Sequence, residues 1–374
     1  MPDALSLYVG TYTETVLFGT GQSFQGKGEG IYLLRLHPDS GALETVGMAA
    51  GIANPSFLAF DATQRFLYAV NELKSWQGLP TGTVSAFAVD PTTGALTFLN
   101  RQPSHGTDPC HVTVDHERRH VFVANFSSGS VCVLPVNADG SLAAASDFLP
   151  HIGSGIHPAR QTGPHAHSVT LDSANRFAFV PDLGLDKVLI YRFDPTRGML
   201  DPNAVPWLKL KPGSGPRHLA LAPTAPFAYL ANELNSTVAV LACDTALGAL
   251  RETQTVASLP PQFHGNNSCA DIHVHPSGRF LYASNRGHDS IAIFAIDAAN
   301  GHLTPLGHTA TGGRTPRNFC LDPTGRFLVV ANQDSDSLVT FRIDVATGAL
   351  HPTGHAAAAP TPVCVRIHSA AHRL

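Results

Sequence analysis

Strand-length apolar runs, separated by Gly, Pro and Asp turns, occupy the chain from end to end. Examples are HLALAP (218–223), SIAIFAID (290–297) and SLVTFRID (337–344), with turns such as DPTGR (322–326) and ATGAL (346–350). Alternation at period two sends successive side chains to opposite faces of a strand, and turns this closely spaced join neighbours antiparallel. No segment longer than a turn keeps a 3.6-residue period. The pattern predicts an all-β fold.

The runs also recur as a larger unit. NPSFLAFDATQRFLYAVNE (54–72), DPCHVTVDHERRHVFVANF (108–126), PHAHSVTLDSANRFAFVPD (164–182), GPRHLALAPTAPFAYLANE (215–233), SCADIHVHPSGRFLYASNR (268–286) and TPRNFCLDPTGRFLVVANQ (315–333) belong to one series, and LYVGTY (7–12) is a partial copy. The period is about 53 residues, the size of a propeller blade. Each unit parses into four strands, a to d. The chain starts at a strand b, however, and ends with a spare strand a, TPVCVRI (361–367). One blade is therefore expected to be assembled from both termini, which closes the ring and hides its edges. The prediction is a single domain over residues 1–374, a seven-bladed β-propeller of four-stranded antiparallel blades.

Antiparallel order puts the starts of strands a, the ends of strands b and the long loops 13–29, 73–82, 148–164 and 259–268 on one face. Elaborated loops of that length carry function more often than stereotyped turns do. At the start of strand a the aligned residues are Ser56, Cys110, His167, Arg217, Ala270 and Arg317. Just after strand b they are Glu72, Phe126, Leu183, Glu233, Arg286 and Gln333. His167, Arg217, Glu233, Arg286 and Arg317 thus converge on the mouth of the channel, with Asp271 beside them. Carboxylates among arginines and a histidine suit an anionic substrate with a polarised carbonyl. The same set reads equally well as structural ion pairs that solvate a channel mouth.

Composition narrows the classes. With 43% hydrophobic and 14% charged residues and a net charge of −4, the chain has ample material for a core and no basic surface for nucleic acid. No apolar run reaches 18 residues, and MPDALSLYVGTYT lacks the basic and apolar regions of an export signal. A cytoplasmic protein without membrane partners, monomeric or weakly homo-oligomeric, is expected. The six cysteines have no CxxC spacing and read as buried thiols. His273 and His275 alternate on a strand and read as packed or solvated groups. GTGQSFQGKGEG (19–30) lacks the ending of a phosphate-binding loop and reads as a mobile loop.

RQTGPHAHSVTLD (160–172), GPRHLAL, YLANELNSTVAV, ADIHVHPSGRFLYASNRGHDSIAIF and TPRNFCLDPTGRFLVVANQDSDSL resemble the lactonase family of seven-bladed propellers over essentially the whole chain. That family includes bacterial 6-phosphogluconolactonases and fungal carboxy-cis,cis-muconate cyclases. The resemblance implies a site made of His167 with His165 beside it, Arg217, Glu233 and Arg286, and it adds Arg160 and Gln161. The 13–29 loop is longer than the family pattern. The resulting expectation is a hydrolase acting on an anionic sugar lactone, by default 6-phosphogluconolactone. Arg217, Arg286 and Arg317 would bind the anion and the carbonyl oxygen, Glu233 would activate water, and His167 would orient that water or protonate the leaving oxygen. His165, Arg160, Gln161 and Asp271 would contact substrate. Lactone opening has a modest barrier, so no metal or cofactor is expected. The alternatives are cycloisomerisation of a carboxymuconate, hydrolysis of an aldaric lactone, a metal-dependent lactonase and a non-catalytic binding propeller.

Overall fold

Each apolar run forms a strand, and the strands pair antiparallel in seven sheets of four. The computed structural model describes residues 4–17 and 21–368. Blade one combines Pro362–His368, Leu5–Thr11, Gly30–Leu36 and Leu43–Ala50. Val9 pairs with Val365 on one side and with Tyr32 on the other, so the C-terminal strand closes the ring as expected. Blades two to seven follow in chain order, with inner strands Leu58–Phe60, Pro109–Val114, Thr170–Leu171, Pro216–Leu221, Ser268–Val274 and Pro316–Leu321.

The apolar clusters lie between adjacent blades. Tyr229 and Leu230 illustrate this: Tyr229 of blade five packs with Ile272, Leu281 and Phe294 of blade six, while Leu230 joins Phe179 and Ile190 of blade four. Inner faces are therefore shared, and no blade can bury its apolar surface alone. Polar ties repeat with the same period. The hydroxyls of Tyr8, Tyr68, Tyr229 and Tyr282 donate to the carbonyls of Gly94, Gly140, Gly301 and Gly348 in the c–d turn of the next blade. Those turn glycines have positive φ, and a Cβ on Gly140 would sit 2.2 Å from the Phe66 ring, so both conformation and space require glycine there.

Two departures from regular sheet position the site. Pairing slips by one residue at the start of the inner strand in blades three, five, six and seven. The extra residues are Cys110, Arg217, the Ala270–Asp271 pair and Arg317. A bulge re-aims a side chain, and here it acts on the very positions that the repeat alignment singles out. In blade four the inner strand shrinks to Thr170–Leu171, and Ala166 makes only an isolated bridge with Asp182. Pro181 stands where blade five has Ala231, and without an N–H it cannot continue the ladder. His167 thereby sits on irregular backbone at the channel mouth.

The glycine-rich segment, expected to be mobile, is instead an ordered ribbon on either side of residues 18–20, which lie outside the described residues. Thr15–Leu17 pairs with Ser23–Gln25, and Val16 and Phe24 pack on Tyr12 and Val363. A Cβ on Gly28 would meet Thr11 Oγ1 at 2.1 Å and one on Gly26 the Tyr12 backbone at 2.5 Å, so these glycines permit close approach to blade one. The six cysteines are free thiols. Among the described residues no helix is long and apolar enough to cross a membrane.

Candidate active site

On the face where the b strands end, a cavity of about 290 Å³ opens between blades and ribbon. Glu72, Phe126, Glu233, Arg286 and Gln333 line it from the ends of strand b, and Cys110, His167 and Arg317 from the starts of strand a. Arg160 enters from the 148–164 loop, and Leu17 and Phe24 of the ribbon supply an apolar rim.

Glu233 is the hub of one wall. Its Oε1 accepts from Arg160 Nη2 at 2.5 Å. Its Oε2 accepts from Arg217 Nε at 3.0 Å and Arg286 Nη2 at 2.8 Å. His167 Nε2 stands 4.0 Å from the same oxygen. Burial alone would raise this carboxyl, but Arg286, Arg160 and Arg217 together hold it well below the ordinary carboxylate range. A carboxylate so stabilised is a poor proton acceptor. The expected role of Glu233 in activating water is therefore disfavoured by its setting, which suits an ionised anchor for three guanidiniums. His167 is shifted the other way: burial first, then Arg217 and His218, keep its imidazole neutral. A neutral ring can orient water by hydrogen bonding but is not the strong acid that protonating the leaving oxygen asks for.

Below this wall runs a second polar layer. Arg217, 2% exposed, does not line the cavity, contrary to its expected contact with substrate. It braces Glu233 from beneath, and its Nη1 donates to Ala270 O at 2.7 Å and to His218 Nε2 at 3.2 Å. Accepting at Nε2 leaves the His218 proton on Nδ1, which donates to Asp271 at 2.8 Å. Asp271 also accepts from His273 Nε2 at 2.9 Å and from Asn318. Asp271 is thus a buried support three contacts below Glu233 and, contrary to its expected place at the substrate, does not line the cavity. His275 donates from Nε2 to Gly325 O at 2.9 Å. Among the described residues no group of three or more His, Cys, Asp or Glu is placed to hold a metal ion.

Two further expectations are corrected. Gln161 is fully buried, donating to Leu183 O at 2.8 Å and accepting from His157 N at 2.9 Å, so it shapes the 148–164 loop and does not face the cavity. His165 stacks on Phe126 at 4.5 Å and pairs its Nδ1 with Phe126 O at 2.9 Å, backing a cavity-lining ring from outside. Arg160, Arg286 and Arg317 do line the cavity, Arg317 lying over the Tyr12 ring at 5.5 Å.

Glu72 was absent from the expected site. It faces the cavity with 7% exposure, and Tyr12 Oη lies 3.1 Å from both of its carboxylate oxygens. Burial raises this carboxyl, while Arg317, Ser56 and Tyr12 limit the rise. The repeat alignment pairs Glu72 with Glu233, which was a usable signal. Cys110 also faces the cavity, but burial and Glu72 push its thiol up, so it remains protonated and unreactive.

A family profile described as "Lactonase, 7-bladed beta-propeller" matches residues 6–367. A Bacillus subtilis protein named 6-phosphogluconolactonase is 37% identical over 315 residues, 84% of each chain. One of the same name from Formosa agariphila is 34% identical over 322 residues, 84% of this chain and 86% of its own. Among solved structures, a Pseudomonas aeruginosa protein described as a periplasmic gluconolactonase superposes with a TM-score of 0.90 at 36% identity, covering 98% of this chain and all of its own.

Proposed function

The chain belongs to the seven-bladed β-propeller lactonase family and is a lactone-hydrolysing enzyme; within that family we propose that it opens 6-phosphogluconolactone to 6-phosphogluconate. The observation that carries this reading is the guanidinium wall. Arg160, Arg286 and Arg317 line one small cavity, and among the described residues the buried Nε–H groups of Arg160 and Arg286 have no hydrogen-bond acceptor. Guanidinium forks bind phosphate and developing oxyanions with charge-assisted bonds, which are stronger than neutral ones. Glu233, Arg217, His218 and Asp271 hold that wall in shape, and neutral His167 stands beside it, its Nε2 4.0 Å from Glu233. The names of the Bacillus and Formosa relatives support the phosphorylated substrate. A phosphorylated lactone does not cross a bilayer unaided, so this substrate puts the reaction in the cytoplasm, as a step of the pentose phosphate pathway.

A second reading, hydrolysis of an unphosphorylated aldonolactone, is favoured by one observation: Arg160 and Arg286 already share the negative charge of Glu233. Acid release by the purified protein at neutral pH, with 6-phosphogluconolactone and gluconolactone compared, separates the two. If phosphate is bound by even one of these arginines, kcat/KM should be at least about tenfold higher for the phosphorylated lactone. Equal or reversed values would remove the phosphate from the assignment and leave the second reading.

A further inference from the structure

We propose that Glu72, across the cavity from Arg160 and Arg286, is the catalytic base of lactone opening. The proposal rests on the hydrolytic reading above and on three placements. Glu72 follows the strand Phe66–Asn71 of blade two as Glu233 follows Phe227–Asn232 of blade five. Both line the cavity, and blades three steps apart are as far apart as a seven-membered ring allows. A lactone between them presents its carbonyl oxygen to the arginines on one side and its carbonyl carbon to a water at Glu72 on the other.

The second placement is a contrast in partners. Three guanidiniums hydrogen-bond Glu233, whereas among the described residues the guanidinium beside Glu72 is that of Arg317 alone, which lies over the Tyr12 ring. The third is Tyr12, whose hydroxyl can donate to only one Glu72 oxygen at a time and leaves the other able to accept from water. The charged and titratable groups facing Glu72 are Tyr12 from blade one, Asp108 and Cys110 from blade three and Arg317 from blade seven. Its raised proton affinity agrees with the assignment: of two carboxylates pushed apart in this way, the one nearer to accepting a proton at working pH is the better base.

In the step, Glu72 takes a proton from water as the water oxygen bonds to the carbonyl carbon. The carbonyl π pair moves onto oxygen, where the guanidiniums stabilise it. Collapse re-forms the carbonyl and breaks its bond to the ring oxygen, which takes the proton back from Glu72. One water is consumed, and a hydroxy acid leaves.

The test is the pH dependence of Glu72→Gln and Tyr12→Phe, measured with whichever of the two lactones the wild type opens faster, together with melting curves. Preference for the unphosphorylated lactone would defeat the phosphate assignment and leave this test intact. Glu72→Gln should lower kcat by about 100-fold or more with little change in KM, and should lose the acid limb of kcat/KM. Tyr12→Phe removes a donor that favours the charged carboxylate, so its acid limb should move to higher pH while alkaline activity persists. A merely structural carboxylate would not move that limb. A folded Glu72→Gln protein with near wild-type kcat or an intact acid limb would overturn the assignment. If Glu72→Gln does not fold, an unmoved limb in Tyr12→Phe would overturn it as well.

Discussion

Glu233→Gln separates an anchor from a base, because it keeps the side chain's size and removes only its charge. In the native wall, Oε1 receives Arg160 at 2.5 Å and Oε2 receives Arg217 and Arg286 at 3.0 and 2.8 Å. A glutamine retains one acceptor oxygen and turns its NH₂ toward at least one guanidinium. Arg217, 2% exposed, has no route to solvent. Removing one partner of a buried ion pair costs about 3–5 kcal/mol. Unfolding entropy of roughly 2.1 cal/mol/K per residue amounts to about 0.8 kcal/mol/K for this chain, so Tm should fall by about 4–6 °C. The sign of the pH dependence follows from the lowered proton affinity of folded Glu233. Its contribution is present above the ordinary carboxylate value and is lost as pH falls through the lower folded value. The gap in Tm between wild type and variant should therefore hold through neutral pH and close in acid. KM should rise as the arginines lose their common anchor, and the acid limb of the rate should remain. A variant that melts within about 1 °C of wild type at neutral pH but has lost kcat alone would refute this reasoning and restore Glu233 as the base.

Arg286→Ala should raise KM for the phosphorylated lactone by roughly ten- to a hundredfold, since a charge-assisted contact contributes about 1.5–3 kcal/mol, and gluconolactone kinetics should change less. Burial and Arg217 pull folded His218 from 6.5 down to about 4, so its contribution is fully present above pH 6.5 and falls by about 3 kcal/mol toward pH 4; urea titrations at several pH values should show that slope in the wild type and a flatter one in His218→Gln. Ending the chain at Ala359 removes Pro362–His368 and strips blade one of its inner strand, so aggregation or a large fall in Tm is expected; a truncated protein that unfolds like the full chain would contradict ring closure.

The ring was legible because a 53-residue repeat states its own topology: strand b at one end and a spare strand a at the other leave one way to pair Leu5–Thr11 with Pro362–His368. The wall at Glu233 was legible for the same reason, since aligned positions fall at the same height around the channel and the bulges turn Arg217 and Arg317 inward. What lay outside the repeat was not. Gln161 and His165 sit in or beside a loop whose side chains are turned by local hydrogen bonds to Leu183, His157 and Phe126, and no period reports those. The ribbon's glycines suggested mobility, yet Gly26 and Gly28 allow two backbones to touch, a demand visible only once the neighbour is in place. Proton affinity was the least legible property of all. Glu72 and Glu233 hold one repeat position, but the groups that set their chemistry arrive from other blades and loops: Arg160 and Arg286 beside one, Tyr12 and Arg317 beside the other. Repeat alignment can place a carboxylate at the mouth of the channel; which carboxylate gives up its proton and which accepts one is decided by residues far away in sequence.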